Sequence, residues 1–69
     1  MSDDLKAEVS RVSKLISEAQ HAAAAAIFMG GSGAPHIERR DTLLNHVKQA
    51  CLAPDEDREK HVAILRGLT

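Results

Sequence analysis

Tryptophan and tyrosine are absent from this 69-residue chain, and Phe28 is its single aromatic residue. Strand-favouring aromatics are therefore almost missing, while Ala, Leu, Glu, Lys and Arg are plentiful, which selects helix. One cysteine, Cys51, cannot close an internal disulfide, so a secreted disulfide scaffold is excluded. The longest apolar run, Ala22 to Met29, is eight residues, far short of the ~20 needed to span a bilayer. Neither sign of charge predominates: nine Lys and Arg oppose ten Asp and Glu, for a net charge of −1, which argues against a general polyanion-binding protein. The start, Met1-Ser2-Asp3-Asp4, is acidic where a secretory signal needs positive charge. The expected location is cytoplasmic.

What the chain does have is helical spacing. Leu5, Val9, Val12, Ile16, Ala19, Ala23 and Ala26 recur at alternating steps of four and three, the a/d seam of a helix packed lengthwise on another. Ser2 suits an N-cap, and Asp3 and Asp4 complement the positive end of the dipole. Gly30 stops the pattern, so the spacing predicts a first helix over about 3–29. Its seam shrinks from Leu and Val to Ala, which predicts closer helix approach towards Gly30. A flexible turn over 30–34 follows, and Pro35 suits the first turn of a second helix over about 35–53. That helix carries Ile37, Leu44, Val47 and Cys51 on one stripe, with Leu43 and Ala50 beside it. Arg40 falls where the seam wants an apolar residue, and its aliphatic stem is expected to cover the core edge. Pro54 ends the second helix. Asp55 suits the N-cap of a third over about 55–67, with Val62, Leu65 and Leu68 on its apolar face and Ile64 adjacent.

These elements predict one all-α domain over 1–69, a long helical hairpin plus a short third helix. A chain of this size hides only about 60% of its unfolded surface when it folds alone, and the third helix is too short to cover the first. The expectation is therefore a homodimer that completes a helical bundle, with Leu5, Val9, Val12, Ile16, Ala19 and Ala23 as the dimer seam.

Catalytic and cofactor readings find little support in the sequence. Gly30-Gly31-Ser32-Gly33 lacks the Lys and Ser/Thr that a Walker loop needs, and a helix rather than a strand precedes it. His21, His36, His46 and His61 are not spaced three or four apart, so no metal pair shares one helix face. Cys51 lies among Ala50, Leu52 and Ala53, which predicts a core thiol rather than a nucleophile. No enzyme activity, cofactor or metal is expected.

Binding residues remain. Phe28 and Met29 turn away from the seam and lead into the glycine turn, where they either fold back over the bundle mouth or form an exposed apolar anchor. His36, Arg39, Arg40 and Lys48 make helix two the most basic segment. A helix, a Gly-Gly turn and a second helix bearing Leu43, Leu44, Val47, Ala50 and Cys51 loosely resembles the helical-hairpin co-chaperones of type III secretion needle proteins over about half the chain. The Pro54 break and the segment after it depart from that pattern. The same layout would suit small phage-encoded inhibitors of host proteins. That resemblance and the residues together predict a small protein-interaction module, an adaptor, co-chaperone or inhibitor, that binds a larger protein through Phe28, Met29, Arg39 and Arg40. The alternative expectation is a dimeric nucleic-acid-binding regulator using the basic face of helix two.

Overall fold

A computed structural model of the chain describes residues 3–69; Ser2, the expected N-cap, lies outside them. Helix α1 spans Asp3–Phe28, α2 spans Ala34–Leu52, and α3 spans Arg58–Arg66, with a 3-10 turn over Asp55–Asp57 leading into α3. No strand occurs among the described residues, and no described helix is long and apolar enough to cross a membrane. The molecule is a rod, 46 × 16 × 16 Å. At ~1.5 Å per residue α1 is about 39 Å long and α3 only about 14 Å. The third helix therefore covers one end of the hairpin and leaves the other two-layered.

Local chemistry sets each boundary. Neither Gly nor Pro occurs within α1, and Asp3 and Asp4 stand in its first turn, where they favour the positive dipole end. The Gly33 carbonyl opens α2 by accepting from the His36 and Ile37 amides at 3.1 and 3.0 Å. Pro54 ends it, because the residue before proline avoids the α region and Ala53 is extended (φ −70°, ψ 146°). The expected start of the third helix is corrected. Asp55–Asp57 forms a tight turn closed by the Asp57 amide on the Pro54 carbonyl, 2.9 Å, and no Asp side chain caps α3. Short 3-10 turns commonly open α-helices when no side chain satisfies the first amides.

One cluster forms the core, with Leu5, Val12, Leu43, Ala50, Val62 and Leu65 buried and Val9, Leu15, Ile16, Val47 and Leu68 packed against it. Val12 and Leu65 are fully enclosed, so truncating Leu65 to Ala would cost about 2–5 kcal/mol. Beyond this cluster, Ala19, Ala23 and Gly33 are buried at the far end of the hairpin.

The described structure revises two sequence expectations. Leu5, Val12, Ala19 and Ala23, assigned to a seam between copies, are buried within the protomer itself. A long apolar stripe marks a helix contact without saying whether the second helix belongs to the same chain, and here α2 and α3 supply it. Val9 and Ile16 flank that contact, half-buried. On α2 the centre of burial is Leu43 and Ala50, whereas Leu44 is 51% exposed and Cys51 is exposed. The stripes through 43 and 50 and through 44 and 51 lie one residue, about 100°, apart. Because α2 touches α1 on one side and α3 on the other, the stripe between them is buried.

A polar clamp secures α3. The Arg11 guanidinium on α1 donates to the Leu68 carbonyl at 2.8 Å and to the Leu65 carbonyl, and its Nε donates to Glu8 Oε2 at 3.1 Å. Glu8 Oε1 accepts from Arg66 Nε at 3.4 Å. The last carbonyls of a helix have no intrahelical partners, and a cation there also opposes the negative dipole end. From α2, Arg39 reaches the Thr69 carbonyl. Hydrogen bonding from Arg11, and then from Arg66, holds the Glu8 carboxyl below its ordinary value of 4.5, against the opposing effect of partial burial.

Two predictions follow from the clamp. Arg11→Met keeps the aliphatic stem and removes the charge. It should destabilise the fold by about 1–2 kcal/mol, read as a melting temperature lower by roughly 5–15 °C; an unchanged melt would show that the clamp contributes nothing. Because the Glu8 pKa is lowered on folding, its contribution is present above pH 4.5 and is lost as pH falls through the lowered value. Thermal melts of wild type and Glu8→Gln should therefore differ near neutrality and converge in acid as pH falls through the lowered Glu8 value.

A candidate protein-binding tip

The end of α1 is closed by backbone hydrogen bonds. The Gly31 amide donates to the Ala26 carbonyl at 2.8 Å and the Gly30 amide to the Ile27 carbonyl at 3.0 Å. Gly30 takes φ +82°. This is a Schellman motif, in which the residue after the cap must enter the left-handed region that glycine tolerates. The Ser32 hydroxyl accepts from the Ala34 amide at 3.3 Å. The expected flexible linker is thus a hydrogen-bonded reversal.

Gly33 does a different job. A Cβ there would stand 3.0 Å from the Ala23 carbonyl oxygen and 3.0 Å from Ile27 Cδ1. The start of α2 therefore presses against α1 at a place where only glycine fits without displacement. That contact fixes where the hairpin turns, and with it where the last residues of α1 point.

Those residues are open. Ile27 is 58% exposed, Phe28 89% and Met29 82%. Of the two arrangements the sequence allows for Phe28 and Met29, folding back over the bundle is not the one adopted. Both side chains lie open to water at the tip of the rod, next in sequence to Ile27. Ile27, Phe28 and Met29 are thus three consecutive large apolar residues open to water.

Arg39 and Arg40 do not join them. Both lie on α2, about 8 Å or more along the helix from its start, and 100° apart around it. Arg39 turns to the C-terminal segment, while Arg40 forks onto Asp41 Oδ1 at 3.2 and 2.9 Å. Lys48 is nine residues from Arg39, which at 100° per residue puts it on the opposite side of the helix. Arg39 and Lys48 therefore share no face of helix two, and Arg40 lies between them, about 100° from the one and 80° from the other.

Other chemistry is sparse. No group of three or more His, Cys, Asp or Glu among the described residues is placed to hold a metal ion. The Cys51 thiol, expected in the core, is exposed instead, because the buried stripe of α2 passes through Ala50. Sequence reasoning also missed a cleft of about 560 Å³ where α3 ends, lined by Pro35, Glu38, Arg39, Thr42, Leu68 and Thr69 among others. Its signal was the mismatch in helix length: once α3 stops, the face it covered is left as a hollow. No known protein family, curated protein or solved structure matches the chain.

The tip makes one stability prediction. Gly33→Ala should destabilise the hairpin by about 1–3 kcal/mol, because its Cβ would press on the Ala23 carbonyl oxygen and Ile27 Cδ1, each 3.0 Å away. Ser32→Ala should stay within about 0.5 kcal/mol of wild type. Equal melts for the two variants would show that the close approach at Gly33 is not needed.

Proposed function

We propose that this protein is a small helical interaction module, an adaptor, co-chaperone or inhibitor, which works as a homodimer and acts by docking its apolar tip onto a larger protein. The observation that carries the reading is the exposure of Phe28 and Met29 at a helix end held by the Schellman turn. Ordering a surface residue on binding costs conformational entropy, and a side chain already held on a fixed backbone loses less of it. An aromatic ring, a polarizable thioether and the Ile27 side chain together offer the kind of anchor that fills a pocket on a partner. The net charge of −1 leaves little long-range electrostatic attraction, so the tip would act through apolar contact rather than steering.

The nucleic-acid alternative depends on Arg39, Arg40 and Lys48 acting from one face. Their divergence around α2, and the engagement of both arginines inside the protein, favour the protein-binding reading. Ionic strength separates the two, since phosphate contacts release counterions and weaken steeply with salt, whereas apolar docking does not.

Phe28→Ala, Met29→Ala should retain helical circular dichroism and melt within about 2 °C of wild type, because neither side chain is packed. In a pull-down from the native host it should lose the captured partner, with affinity lower by about thirtyfold, the ~2 kcal/mol of a central apolar anchor. Unchanged stability with unchanged capture would place the anchor elsewhere.

A further inference from the structure

The hairpin has a second uncovered surface, on the side away from α3. On α2, Thr42 lines the cleft at the end of α3, and Leu44, two residues on, faces about 160° away from it. Ile37, Leu44 and Cys51 are seven residues apart and share that outer stripe. On α1, Arg11 reaches α3, and Val9 lies two residues before it, again turned to the other side. Ile16 continues the Val9 stripe. The face thus centres on Leu44 and Cys51, both exposed, with Ile37 half-buried beside them, and is bordered by Val9 and Ile16, half-buried against the core.

We propose that a second copy of the chain covers this face, packed with its α2 antiparallel and Leu44 on the two-fold axis. The inference rests on the homodimer reading above and assigns that dimer a surface.

Three observations favour a second copy over another occupant. The first is symmetry: Ile37 and Cys51 lie seven residues either side of Leu44, so reversing the helix about Leu44 sets each Ile37 against the other copy's Cys51. Isologous pairing needs that self-complementarity. The second is charge. Leu44 sits in a hollow of about 260 Å³ lined also by Asp41, Asn45 and Lys48. Asp41, whose Oδ1 also takes the Arg40 guanidinium within the protomer, precedes Leu44 by three residues and Lys48 follows it by four, so the same reversal brings each Asp41 level, within about 1.5 Å, with the other copy's Lys48. Opposite charges at matched heights fix register in antiparallel helix pairs. The third is area. The protomer exposes 4841 Å², about 600 Å² more than the ~4,200 Å² left by a compact monomer of its mass. The excess belongs to the elongated shape of the whole protomer, 46 × 16 × 16 Å, and side-by-side pairing of two rods is the contact that covers it.

Sedimentation of the full chain tests this. Wild type should be a dimer at micromolar concentration. Leu44→Asp should remain helical, since Leu44 is half-exposed in the protomer, and dissociate at concentrations on the order of a hundredfold higher. Asp41→Lys and Lys48→Asp should each weaken the dimer about tenfold by placing like charges together, and the double swap should restore it to within about threefold. An Ile37→Cys variant should be joined between copies through Cys51 by a short bis-maleimide. Wild type should not, because its two Cys51 thiols would lie about 21 Å apart along the axis. A dimer indifferent to Leu44→Asp and to the charge swaps would overturn this surface while leaving the homodimer reading standing. A wild type that stays monomeric would overturn both, as would a monomer that uses Leu44 to capture a different protein. Neither result bears on the tip, which the Phe28 and Met29 variant tests separately.

Discussion

Three helices of unequal length meet around Val12 and Leu65, and that inequality shapes the rest of the molecule. Without Trp or Tyr, the core has to be assembled from aliphatic side chains that each bury little area. It therefore gathers where all three helices converge, at the end of the hairpin that α3 covers. Leucine and valine fill the space there. Beyond the reach of α3 only two helices remain, and alanine suffices because the backbones approach each other directly. Ala19, Ala23 and Gly33 are that arrangement seen from three positions.

Holding a short helix on a long hairpin needs more than apolar contact. Nine residues of α3 present Val62 and Leu65 to the core and little else. The Arg11 clamp adds a directional restraint, since its guanidinium ties the carbonyls of Leu65 and Leu68, at and just past the end of α3, to α1. Glu8 orients that guanidinium and also meets Arg66. Charged hydrogen bonds of this kind fix position more than they add energy, because their partners are half in water. The reward is a defined boundary between a three-layered end and a two-layered one.

The two uncovered surfaces fall on different parts of this frame. The tip with Phe28 and Met29 terminates the rod, and the Leu44 face runs along its side, opposite α3. If the side face joins two copies, the antiparallel arrangement sends the two tips to opposite ends. Such a dimer would present one anchor at each end, suited to bridging two molecules of a partner, with no crowding between them.

Composition and spacing in the sequence alone determined the helices and their approximate ends. Alanine, leucine and charged residues without internal Gly or Pro leave α1 no competing conformation, and Gly30, Pro35 and Pro54 act through local backbone sterics that need no tertiary context. The exposed tip was half legible. Phe28 and Met29 fall off the seam by spacing, but whether they fold back depends on the Schellman turn and on how closely Gly33 approaches Ala23, which is a three-dimensional fit. Tertiary structure alone decided which stripe of α2 is buried. The 43–50 and 44–51 stripes are both apolar and one residue apart, so periodicity cannot choose between them. Only the placement of α1 and α3 on either side of α2 selects Leu43 and Ala50 and turns Leu44 and Cys51 outward. Likewise, the seam of α1 was visible as a helix contact. That the contact is made within one chain follows from a hairpin turn tight enough to bring α2 back along it.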